Sequence, residues 1–85
     1  MKRPDISREE LVKLVTEAIF ATAKITVRPD QYRENLFQLG LDSLKAIQVI
    51  NTLEDRLDLM IDDSHLRKFT SIEAIADFFE SLPKG

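Results

Sequence analysis

Apolar residues recur at helical spacing along most of this chain, and no segment alternates as a half-buried strand does. Leu11, Leu14, Val15, Ala18 and Ile19 make one stripe, and Val49, Ile50, Leu53 and Leu57 make a second. Ile72, Ile75, Ala76, Phe79 and Leu82 make a third, with Phe78 beside it. Three such stripes have to be buried against one another, so the chain is expected to fold as a small helical bundle.

The punctuation agrees with this. Ser7-Arg8-Glu9-Glu10 reads as a capping box, with Ser7 at the N-cap and Glu10 at N3, and opens a helix from about residue 8 to 23. Gly40 allows a tight turn, Asp42 is a good N-cap, and a second helix should run from Ser43 to about 56–58. Asp62 or Asp63 can cap a short third helix ending near Leu66. Thr70-Ser71-Ile72-Glu73 reads as another capping box, with Thr70 as N-cap, and opens the last helix; Pro83 and Gly85 close the chain. The expected fold class is all-α: a small four-helix bundle of three main helices plus one short helix. It should form one domain over residues 1–85, with a core from about 8 to 82.

Residues 24–41 form a long connection. Pro29-Asp30 marks a turn, and a short helical turn is expected near residues 32–37. Val27, Leu36, Phe37, Leu39 and Leu41 should mostly find burial, with Tyr32 and Phe37 as anchors. A loop of this length held by few apolar contacts is expected to move more than the helices.

Composition narrows the chemistry. With 85 residues and no cysteine, the chain has no disulfide, no thiolate metal site and no thiol of its own. Twelve basic and fifteen acidic residues give a net charge of -3, which argues against nucleic acid and suits a chain that meets basic partner surfaces. No apolar run reaches the roughly 20 residues of a membrane span, and no apolar stretch follows Lys2-Arg3, so neither a span nor a signal peptide is expected. A cytoplasmic, free-standing, monomeric protein is the default expectation. His65, the only histidine, has no cysteine or second histidine to join, so edge packing is expected of it. Arg67-Lys68 reads as a charge pair at the end of the short helix.

Leu39-Gly40-Leu41-Asp42-Ser43-Leu44 carries the chemical signal. A hydroxyl on the first residue of a helix projects into solvent. A phosphate esterified to it would lie beside unpaired backbone amides and the positive end of the helix dipole. The neighbouring Asp42 charge opposes that placement. On its own, Asp-Ser before an apolar helix is an ordinary N-cap.

The wider pattern says more. Phe37-x-Leu39-Gly40-Leu41-Asp42-Ser43-Leu44, followed by Ala46, Val49, Ile50, Leu53-Glu54 and Leu57, resembles acyl and peptidyl carrier proteins. The order of a long loop, the motif, a short third helix and a Thr-Ser-Ile helix start extends the resemblance over about residues 11–82. The resemblance implies that Ser43 accepts a 4'-phosphopantetheine arm, moved from coenzyme A by a phosphopantetheinyl transferase using magnesium. It implies that Asp42 takes part in transferase recognition. The arm's thiol would then hold acyl intermediates as thioesters and present them to acyl-loading, condensing or acyl-transfer enzymes. No catalytic or metal-binding residue is implied in the chain itself.

The second helix would be the recognition helix, with Leu44 and Ile47 as apolar partner contacts and Glu54 and Asp55 facing basic patches. Lys45 and Gln48 stand where carriers of fatty acid synthesis usually place acids. A specialised lipid, polyketide or peptide-type pathway is therefore as much expected as fatty acid biosynthesis. Val49, Ile50, Leu53, Ile72 and Ile75 would line a cleft for the acyl chain. The alternatives are a peptidyl or aminoacyl carrier, an unmodified helical interaction module, and, disfavoured by the acidic balance, a DNA-binding helical domain.

Overall fold

The computed structural model describes residues 5–82. Residues 1–4 and 83–85, with the basic start and the expected chain end at Pro83 and Gly85, lie outside the described residues. Among the described residues three α-helices and two short 3-10 helices follow one another: α1 over Arg8–Ala23, a 3-10 turn over Pro29–Gln31, α2 over Ser43–Leu57, a 3-10 helix over Asp63–Lys68, and α3 over Ile72–Glu80. Among the described residues there is no strand.

Each α-helix starts on a side-chain oxygen supplied by the residue before it. The Ser7 hydroxyl accepts the Glu10 amide at 3.2 Å, and the Asp42 carboxylate accepts the Lys45 amide at 2.8 Å. Both α1 and α2 end on a left-handed residue, Lys24 at φ 60° and Asp58 at φ 54°. The amides of these residues return to Phe20 O and Glu54 O, pairing carbonyls that the helix end would leave open.

At α3 the expected cap is displaced by one residue. Ser71, not Thr70, holds the N-cap and accepts the Ala74 amide at 3.0 Å. The long loop decides between them. Leu36 N donates to Thr70 O and Glu73 N donates to Tyr32 O, both at 2.9 Å, so the loop grips the chain on either side of Ser71. Glu73 then falls inside the first turn and pairs with Arg33 at 3.0 Å.

Both α2 and α3 pack on α1, and the 3-10 helix packs on α3. Leu11, Val15, Ile19, Val49, Leu53, Ile72, Ile75 and Phe79 are fully buried between them. Phe69 meets Phe78 edge-on at 4.9 Å, and the His65 ring lies 5.0 Å from Phe78, the edge packing expected of it. Arg8 ties the start of α1 to Asp77 and Glu80 at the end of α3, and Arg56 joins Glu17 across α1 and α2. These exposed pairs each contribute about 1 kcal/mol at most.

The long loop is pinned by Leu36 and Leu41, both buried. Its 3-10 helix lies at Pro29–Gln31, before residues 32–37, because Pro29 presets the turn and the Gln31 side chain accepts the Arg28 amide at 2.9 Å; further turn bonds, such as Gln38 N to Asn35 O at 2.9 Å, follow over 35–40. Phe37 does not anchor the loop; it is 61% exposed. Asn35 Oδ1 accepts the Phe37 amide at 2.8 Å, a local turn that sends Leu36 inward and Phe37 outward. Gly40 has φ +107°, a conformation side chains resist, and an added Cβ would come within 3.2 Å of Ile25. Among the described residues no helix is long and apolar enough to cross a membrane, and no three His, Cys, Asp or Glu gather to hold a metal ion.

Candidate functional site

The tight passage from Leu36 to Leu41 delivers Asp42 and Ser43 to the start of α2. Leu41 N reaches back to Leu36 O at 3.1 Å, and Leu41 itself is buried, so the chain arrives at Asp42 with its direction fixed. Asp42 caps the helix through its side chain, while its carbonyl accepts the Ala46 amide at 2.9 Å. Ser43 is the first helical residue and is exposed. The amides that open the helix have no carbonyl of an earlier turn to meet, so an oxyanion bonded to Ser43 Oγ has donors beside it.

Ser43 also stands at the edge of a groove of about 340 Å³. One wall is Ser43, Ala46, Ile47 and Ile50 of α2, and another is Asn35, Leu36 and Phe37 of the loop. Leu66 and Arg67 of the 3-10 helix, with Phe69 and Thr70 after it, close the far side. Of the five residues expected to line a cleft, only Ile50 does so. Val49, Leu53, Ile72 and Ile75 have no exposed surface because they face the packed interior. Spacing alone could not separate the two roles, since both sets lie on apolar stripes. Phe37, Leu66, Arg67 and Phe69 were missed as groove residues, because three segments distant in sequence build the groove.

Leu44 and Ile47 are exposed at 65% and 45%, on the turn that also carries Ser43. Glu54 and Asp55 lie eleven and twelve residues further on, about 16 Å along the axis from Ser43. Glu54 has a structural task as well. One of its carboxylate oxygens accepts the Ile61 amide at 2.7 Å and holds the segment after α2. Asp55 is exposed. The structure thus groups Ser43 with Leu44 and Ile47 and sets the two acids apart. Met60, 87% exposed, is a bare apolar side chain that the helical pattern did not single out.

A family profile described as a phosphopantetheine attachment site matches residues 13–79. The chain belongs to the phosphopantetheine attachment-site family. Curated relatives agree. The acyl carrier protein of Campylobacter lari is 28% identical over 76 residues, covering 89% of this chain and 95% of that protein. An acyl carrier protein homolog of Ureaplasma parvum is 31% identical over 61 residues, 72% of this chain and 79% of its own. Chloroplastic acyl carrier protein 4 of Arabidopsis thaliana is 26% identical over 81 residues; they are 95% of this chain but 51% of that protein, so the chain spans about half of this longer relative. No solved structure matches the chain.

As a member of this family the chain is an acyl carrier and not a catalyst, and its cofactor is covalent 4'-phosphopantetheine. The site fits that group: an exposed hydroxyl, unpaired amides next to it for a phosphate, and an apolar groove alongside. When bound, the arm supplies the thiol that a chain with no cysteine lacks.

Proposed function

We propose that Ser43 Oγ is the attachment point and that the chain presents acyl thioesters to enzymes of fatty acid, specialised lipid or polyketide biosynthesis. One observation carries the reading: Ser43 is the exposed first residue of α2, behind a fully engaged Asp42 cap, at the rim of the groove. In this reading a phosphopantetheinyl transferase recognises Asp42 and loads the arm. Asp42 keeps the helix start rigid, so the hydroxyl meets the transferase in one orientation. Leu44 and Ile47 offer apolar contact to the enzymes that follow, and Glu54 and Asp55 offer charge further along α2. Lys45 and Gln48 leave the turns after Ser43 without acids, so a specialised branch stands level with fatty acid biosynthesis. We take the Asp63–Lys68 3-10 helix as the short fourth helix of the carrier bundle, and residues 1–85 as one carrier domain acting as a monomer in the cytoplasm.

Intact mass measured after coenzyme A and a broad-specificity transferase tests the attachment. The expected result is a gain of one phosphopantetheinyl group. Incubating the loaded chain with acyl- and aminoacyl-activating ligases then tests the cargo. Acylation by the former is expected, and exclusive aminoacylation would make it a peptidyl-type carrier. A chain that stays unmodified would be a helical interaction module.

A further inference from the structure

A phosphodiester on Ser43 would sit next to the Asp42 carboxylate, and beyond the amides of the helix start the motif over residues 39–44 supplies no cationic side chain to offset that repulsion. The fold does. Ser43 and Arg67, 24 residues apart in sequence, line the same groove, and Arg67 is the one charged residue among those that line it. Four other arginines hold carboxylates: Arg8 on Asp77 and Glu80, Arg28 on Asp30, Arg33 on Glu73 and Arg56 on Glu17. The Arg67 side chain makes no ion pair or hydrogen bond among the described residues. Asp62, the cap before the 3-10 helix, and Lys68, at its end, are committed elsewhere. The Asp62 carboxylate accepts the Ser64 amide at the opposite end, and the Lys68 ammonium lies over the Phe78 ring at 6.0 Å.

We propose that Arg67 is the counter-ion of the arm's phosphodiester, holding the phosphate end of the arm on the groove side of α2 rather than on the Leu44 side. The inference rests on the reading of Ser43 as the attachment point. A guanidinium suits the task because its planar donors match two phosphate oxygens at once. Ile47, Leu66 and Phe69 give the groove apolar walls beside the pair. Arg67 is then a positioning residue, which sets where the arm leaves the protein surface.

The full chain, loaded with phosphopantetheine and checked by mass, is compared with its unloaded form by 15N and 31P NMR. On loading, the Arg67 Nε–H resonance is expected to shift while those of Arg33 and Arg56 stay in place. The 31P resonance of the loaded chain is expected to move in Arg67→Gln and to return toward wild type in Arg67→Lys. In salt of about 1 M, where charges are screened beyond roughly 3 Å, the wild-type 31P signal should approach that of Arg67→Gln. Arg67 is exposed, so both variants should keep the wild-type helical signal. An unmoved Arg67 Nε–H with identical 31P shifts in wild type and Arg67→Gln overturns the proposal and leaves the attachment reading intact. A wild-type chain whose mass does not rise removes both.

Discussion

At the scale of single residues, Asp42 joins stability to function. Its carboxylate caps α2 at 2.8 Å and fixes the backbone beside the Ser43 hydroxyl, the proposed attachment point. Asp42→Ala is expected to cost about 1 kcal/mol, the usual value of an N-cap. In a domain of this length that lowers the melting temperature by roughly 4–8 °C, which calorimetry would show. Asp62 gives a second residue-scale prediction. The amide and hydroxyl of Ser64 bond its carboxylate and hold its pKa below the ordinary aspartate range. A depressed carboxylate pKa stabilises the fold at pH above the unfolded value, and that stabilisation is lost as pH falls through the folded value. Urea midpoints followed into acid should fall less steeply for Asp62→Asn than for wild type. The Asp42 cap and the helix start at Ser43 were legible in the sequence because an N-cap depends only on adjacent residues. Arg67 was not, because what distinguishes it is the lack of a carboxylate partner in three dimensions.

At the scale of elements, the helices announced themselves through their caps and stripes. The bounds read from Ser7 and Asp42 match α1 and α2. The start of α3 did not resolve, since Thr70 and Ser71 are both able caps and only the loop bonds to Thr70 O and Glu73 N choose between them. Ser71→Ala should therefore cost about 1 kcal/mol, and Thr70→Ala about half that or less, in chemical denaturation. Phe37 is the same lesson in the loop. Its apolar character suggested an anchor, but the Asn35 turn aims it outward. Amide exchange should be faster through the 24–41 loop than in the helices, with the Leu36 amide, bonded to Thr70 O, a slow exception. Uniform protection along that loop would contradict this account of how it is held.

At the scale of the molecule, the Cα radius of gyration is 11.7 Å, against about 12 Å expected for a compact chain of this length. The fold class was legible because three amphipathic stripes admit few other solutions. The groove was not, since its walls come from a loop, a 3-10 helix and the start of α2. The core is small, and its largest fully buried side chain, Phe79, is central to it. Phe79→Ala should remove about 3–5 kcal/mol, a large share of a stability that is typically about 5–15 kcal/mol. Met60→Ala, on a bare surface, should change it by about 0.5 kcal/mol or less. In the proposed reading this bundle is a rigid base for one tether, and fragmentation mass spectrometry of the loaded chain tests that most directly. The added group should map to Ser43 and be absent from a folded Ser43→Ala variant; a group found on any other residue, or gained equally by that variant, would contradict it.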